Sequence, residues 1–355
     1  MEKKKLKNVI LYLFYGILTI ALLVFILSMN DIGEILNTIK TVDVTNLIIA
    51  LVLVLVYLGL YPLTMCLLTK AEHVDVKFID VYTIGMTEHF FNGITPFSTG
   101  GQPFQMYALA KKKVKLSTST SLLMMNFIIF MIVTNLFALC SLFYFDKFVT
   151  TDSMRVVAII GFTMNFLVLF FMIALATSKT IKKGIIWILT KLSKIKFLTK
   201  LLESRIVQVN EYIEQTQSAF LSLWKHKLTF ILCFLIRAVT MAVYYGITFF
   251  ILRSLHVEIG INQLFFVICG SAFAITMVVF MPTPGSSGGI EFAFSSIFAA
   301  LALESTSSLS YSGMLIWRLI TYYLTMLISL AFYIGFEINV RITDKKNRTL
   351  EEKIQ

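Results

Sequence analysis

Charged side chains sit inside apolar stretches of this sequence, among them Glu88 in "MTEHFF", Arg237 in "CFLIRAVTMAVYY", Glu291 in "GGIEFAF" and Arg318 in "GMLIWRLITYY". Charge in such surroundings is costly and usually faces an interior or a watery passage, so each is a functional candidate. A guanidinium offers a rigid fork of donors, which suits Arg237 and Arg318 to a phosphate. Glu88 and Glu291 would then hold a cationic group, or pair with the arginines as buried bridges or gates. Two heptads stand beside the glutamates, "TPFSTGG" from Thr95 to Gly101 and "TPGSSGG" from Thr283 to Gly289. Pro96, Pro282, Pro284 and Gly285 break helices there and are expected to act as hinges. Ser98, Thr99, Gly100 and Gly101, and likewise Ser286, Ser287, Gly288 and Gly289, would begin the returning helices. Free amides and the positive dipole end favour an anion at such a place. The plainer alternative is that Gly and Pro only permit tight helix crossing. Gln102 and Gln105 follow one turn on, either as donors in a cavity wall or as polar glue between helices.

These residues need elements to position them, and the composition says which. The chain has 355 residues, 57% hydrophobic and 14% charged. Its apolar runs near residues 9 to 29, 46 to 68, 117 to 145, 155 to 177, 228 to 252 and 311 to 340 are each long enough to cross about 30 Å of hydrocarbon. The expected fold is an all-α polytopic membrane protein with about six full spans plus two broken or re-entrant helical hairpins. The first run follows Lys3, Lys4, Lys5 and Lys7 like a signal peptide, but it is too long for one and reads as a retained helix.

The net charge of +11 does not call for nucleic acid, because basic residues accumulate on the cytoplasmic side of membrane proteins. With the N-terminus inside, only Lys40, Lys147, Arg155 and Arg253 fall outside, and only Arg237 and Arg318 fall within spans. Both termini are then cytoplasmic. Phe78 to Ala110 must enter and leave on the cytoplasmic side, and the second heptad's hairpin enters from the opposite face. Residues 46–145 and 228–340 therefore read as an inverted repeat within a single membrane domain, a transporter plan in which broken helices mark the binding site. Residues 180–226 connect them. Ile181, Ile185, Ile188, Leu192, Ile195 and Leu198, and then Ile206, Val209, Ile213, Thr216, Phe220 and Leu223, recur at helical spacing, the pattern of an interfacial helix or a shield along the bundle's cytoplasmic edge.

Other chemistry has thinner support. Cys66, Cys140, Cys233 and Cys269 show neither disulfide nor zinc spacing, and neither a metal nor another cofactor is expected. Gly285 to Gly289 spells G-x-S-x-G, but the strand that positions such a serine is missing and no His follows His256, so a serine protease is disfavoured. There is no Walker A sequence to drive a pump. His89 is read as settled against a carbonyl, with proton coupling the alternative. Tyr244, Tyr245, Tyr322 and Tyr323 are read as packing or anchoring residues.

At "NGITPFSTGGQPFQMYALAKKK", "MPTPGSSGGIEFAF" and "IWRLITYYL" the chain resembles the flippase-like family named for the membrane part of lysylphosphatidylglycerol synthase. The resemblance spans nearly the whole chain. It implies a region that moves aminoacylated phosphatidylglycerol across a prokaryotic inner membrane, without the cytosolic domain that makes that lipid, so a lysyltransferase activity is not expected from these residues. It also implies a phospholipid partner, anionic or aminoacylated, with a separate lipid synthase and a homo-oligomer as further partners. Carry-over rests on Pro96, Gly100, Gly101, Pro284, Gly285, Gly289, Glu291 and Arg318. Gln102 and Gln105 stand where members often carry an acidic and a basic residue, which points to a different headgroup preference. A small-solute transporter on the same scaffold is the second functional reading.

Overall fold

A computed structural model describes residues 40–194, 199–301 and 307–354, and every regular element among them is helical. The expected first helix over residues 9 to 29, together with Ile195 and Leu198 of the connector, lies outside the described residues. We number the helices α1 (Val44–Leu60), α2 (Leu63–Ala71), α3 (Phe78–Met86), α4 (Glu88–Ile94), α5 (Gly101–Lys111), α6 (Leu116–Leu142), α7 (Phe145–Phe148) and α8 (Asp152–Thr177). There follow α9 (Lys179–Ser193), α10 (Thr199–Lys225), α11 (Lys227–Ser254), α12 (Leu264–Val278), α13 (Gly289–Leu301), α14 (Ser307–Arg318) and α15 (Thr325–Ile354). Side-chain oxygens start several of them: Asp43 accepts from the Thr45 amide, Thr151 from Met154 and Ser178 from Ile181.

Among the described residues, six helical stretches are long and apolar enough to cross a membrane: Val44–Ala71, Leu116–Leu142, Asp152–Thr177, Lys227–Ser254, Ile261–Val278 and Leu309–Thr343. Five match the runs read from sequence, and this is a polytopic membrane protein. The first stretch is two helices, because Pro62 has no N–H to continue the ladder. Gly85 of α3 packs into that bend, where an added Cβ would lie 2.8 Å from Cβ of Pro62. The last stretch contains a π turn over Leu319–Leu324, directly after Arg318.

Two helical hairpins interrupt this pattern. The first is α3, α4 and α5, none longer than 11 residues or about 16 Å, so no arm spans the hydrocarbon as one helix. The second pairs Ile261–Val278, long enough to span, with α13, whose 13 residues are not.

The main core gathers α1, α6, α8, α11, α12, α13 and α14 around Phe249, Phe273, Phe294 and Trp317. Polar pairs tie it internally, with Asn165 donating to Asn135 at 3.0 Å and Ser271 to Thr248 at 2.7 Å. The two helices of the connector differ. Ile213, Thr216 and Leu223 of α10 are buried, and Leu223 packs with Ala219 against Met125, Ile128 and Ile129 of α6. This stripe belongs to the bundle. On α9, by contrast, Trp187, Ile188 and Leu192 stay exposed. Lys182 of α9 holds Glu214 of α10 at 2.8 Å, and that bond keeps the carboxyl below its ordinary range.

The helix crossing at Gly161 supplies one clear prediction. A Cβ there would lie 2.1 Å from the backbone oxygen of Met277, so α8 and α12 touch main chain to side-chain-free main chain. Backbone cannot swing aside as a side-chain end can. Gly161→Ala should cost at least the ~1–3 kcal/mol typical of overpacking, read as a lower melting temperature in detergent. An unchanged melting temperature would mean that the two helices do not cross there.

Candidate functional site

The two heptads meet. Pro96 and Pro284 form an isolated antiparallel bridge, which joins the tips of the two hairpins. Neither proline has an N–H, so the bonds of such a bridge fall to the flanking residues. The tips are irregular: Phe97, Ser98, Gly285, Ser286 and Gly288 all have positive φ. Pro96, Phe97, Thr99, Pro282 and Gly288 are exposed, while Ser286 and Ser287 are buried.

Most of the amides expected to be free at the tips are bonded locally. Gly100 donates to Oγ1 of Thr95 and Gly101 to Oδ1 of Asn92, each at 2.8 Å. The Gly288 amide donates to Oε2 of Glu291 at 2.6 Å. The glycines also differ in what they permit. Added Cβ atoms at Gly100, Gly101 and Gly289 would lie 2.6 Å from the Phe91 oxygen, 2.5 Å from Cγ of Glu88 and 2.7 Å from Cγ of Met281. Those three serve close packing, as the plainer reading holds. Gly288 alone of the four opens on clear space.

Arg318 ends α14 at 2% exposure, under the second tip. Its Nη2 donates to the Gly285 carbonyl at 3.0 Å and to Oγ of Ser287 at 2.8 Å. Its Nε lies 3.0 Å from Oε1 of Glu291 with the hydrogen poorly aligned, so the contact is an ion pair rather than a hydrogen bond. The Tyr322 ring lies 4.0 Å from the guanidinium carbon, and its hydroxyl donates across to the Gly93 carbonyl of the first hairpin at 2.8 Å. Tyr322 sits in the π turn, which sets it beside Arg318 and against Gly285. The residue read as packing therefore clamps both tips. Ser329 adds a second tie, donating to the Met86 carbonyl and accepting from the Phe90 amide.

Arg237 lies elsewhere, 1% exposed on α11. Nη2 donates to Oγ1 of Thr64 at 2.5 Å and to Oδ1 of Asn126 at 2.9 Å, and Tyr61 covers the guanidinium at 4.4 Å. No carboxylate reaches it within 4.0 Å among the described residues, so the expected bridge to Glu88 is not formed. Glu88 instead accepts from Nε2 of Gln105 at 3.1 Å, with Asn92 at 3.5 Å. Gln105 is buried and Gln102 only partly so, which separates two residues that looked equivalent. His89 packs at a tilt against Tyr61, with ring centres 4.4 Å apart, and against Tyr57 at 5.4 Å, and its Nε2 bonds to nothing, so the carbonyl contact expected is not seen at that nitrogen. Tyr57, Tyr244 and Trp317 continue this aromatic line toward Arg318. Thr64, Asn92 and Asn126 were missed. An amide in the apolar run "MMNFIIF" was the available signal for Asn126.

The family model described as the lysylphosphatidylglycerol synthase TM region matches residues 12–329, and the chain belongs to that family. This agrees with a membrane role connected with lipids. No curated protein and no solved structure matches the chain.

Proposed function

We propose that this member of the lysylphosphatidylglycerol synthase membrane-region family is a lipid translocase, moving a phospholipid headgroup between the leaflets of a prokaryotic cytoplasmic membrane. Residues 46–145 and 228–340 act as two inverted copies, with both termini on the cytoplasmic side. The observation that carries the reading is the meeting of the tips at Pro96 and Pro284. Irregular backbone within a membrane is tolerated where it is buried in protein or borders water, and the exposure of Pro96, Phe97, Thr99 and Gly288 supports a passage at that junction. A headgroup crossing there meets Arg318 and Glu291 at the second tip, and Arg237 and Glu88, away from the tips, are the second pair offered to its phosphate and to a cation. Rocking about the Pro-Pro contact, with Tyr322 as the clamp, would open the junction to each side in turn.

The test is headgroup accessibility in liposomes holding the purified protein. Fluorescent phosphatidylglycerol, lysyl-phosphatidylglycerol and polyprenyl phosphate are each followed with a membrane-impermeant quencher. Faster loss of inner-leaflet signal for one of them supports the reading and names the lipid. No acceleration for any, with flux of a small anion in the same vesicles, turns the assignment to a solute transporter on this scaffold. A new lipid species in extracts of cells holding the chain would instead mark a lipid-modifying enzyme.

A further inference from the structure

The two buried arginines are not equivalent. Arg318 is neutralised inside its own hairpin by Glu291, with the Gly285 carbonyl and the Ser287 hydroxyl taking up Nη2. Arg237 has neutral partners on Nη2 alone, while Nε and Nη1 are buried and bond to nothing. A buried cation without an anion in contact is expensive, by several kcal/mol in real proteins. Nearby, Oε1 of Gln105 and Nε2 of His89 are also buried without partners. Tyr61 ties these groups together, touching both the guanidinium and the imidazole. The set thus offers two cationic donors, one amide acceptor and one imidazole nitrogen, with a carboxylate close enough to act on the charge but not in contact.

We propose that this cluster is a binding site for a singly charged phosphodiester, held by Nε and Nη1 of Arg237. Glu88 sets the charge limit. With the Glu88 carboxylate beside the one guanidinium, a bound monoanion leaves the group one negative charge in excess and a dianion two, so the carboxylate penalises the dianion more. Oε1 of Gln105 accepts from a hydroxyl on the ligand. The inference deepens the translocase reading by naming the charge class and the arginine that receives it, and it rests on that reading only for the lipid origin of the ligand. A soluble glycerophosphodiester presents the same chemistry.

Binding is measured without transport, by thermal shift and calorimetry on the full chain in detergent. The probes are dihexanoyl-phosphatidylglycerol, glycerophosphoglycerol and inorganic sulfate. Wild type should bind a diester at least tenfold tighter than sulfate. Arg237→Gln should weaken the diester at least tenfold, Arg237→Lys less, and Glu88→Gln should narrow the preference by improving sulfate. Binding of the short-chain lipid alone assigns the lipid source, and equal binding of the soluble diester assigns a solute. Sulfate binding as tight as the diester to wild type overturns the proposal, as does an unaltered preference in Glu88→Gln, which keeps the arginine and its bonds. Diester binding without lipid movement in liposomes would retain this site and remove the translocase.

Discussion

Arg318→Leu is expected to stop lipid movement and to destabilise the protein, while Arg318→Leu with Glu291→Leu recovers most of the stability and none of the movement. The single change leaves Glu291 facing the core without its cation, at 3.0 Å from where the charge stood. Breaking a buried pair in this way costs about 3–5 kcal/mol, and the partial exposure of Glu291 makes that an upper bound. Removing both charges restores an apolar contact of similar volume, which is often close to neutral. Recovery falls short by about 1 kcal/mol, because Glu291 also accepts from the Gly288 amide and that cap is lost. Melting temperatures of the purified variants and liposome quenching give the two readouts. If the double variant moves lipid at the wild-type rate, the charges are only structural. If it is no more stable than the single variant, the ion pair is not what holds the second tip.

Gly285→Ala should be nearly as damaging, for a different reason. The residue has φ of +55°, where a side chain costs roughly 1–2 kcal/mol. The added Cβ would also lie 2.3 Å from Cε2 of Tyr322, with Cζ and the hydroxyl at 2.6 Å. The ring must therefore leave its place. It takes with it the stacking on Arg318 and the bond to Gly93, the latter worth about 0.5–1.5 kcal/mol. Gly288→Ala is the control, since it has φ of +87° but meets no atom within 4 Å, and it should show the backbone strain alone. Equal losses at both positions would mean that Tyr322 is no clamp. Restoration of Gly285→Ala by Tyr322→Ala in stability but not in transport would confirm that the clash, and not the dihedral, does most of the harm.

The hairpins were legible because their signals are local. Proline and glycine break helices wherever they stand, and apolar length decides what can span, so residues 95–101 and 283–289 announced their tips. The pairing of Pro96 with Pro284 was not legible, since no spacing rule brings together residues from two hairpins. Arginine depth was legible too, but not the azimuth of each helix. That rotation gives Arg318 to Glu291 and turns Arg237 toward Thr64 and Asn126 instead of Glu88. The same limit hid the role of Tyr322. Its position depends on a π turn, a one-residue change of helical phase that an apolar stretch such as "LITYYL" does not advertise. The tip amides failed for a simpler reason. Thr95 and Asn92 lie within reach of Gly100 and Gly101, and short polar side chains take up nearby backbone donors before any ligand can.

That local capping bears on how the chain is made. The partner of Pro96 is 188 residues further along, which a ribosome adding ~5–20 residues per second reaches about 10–40 s later. Throughout that interval the first hairpin is in the translocation machinery or the bilayer with no second tip to lean on. Donors left open there would invite mispairing or export. Because Thr95, Asn92 and Glu88 already occupy the turn and its neighbours, the early half can wait as a self-contained insert, and the late half needs only to dock onto it.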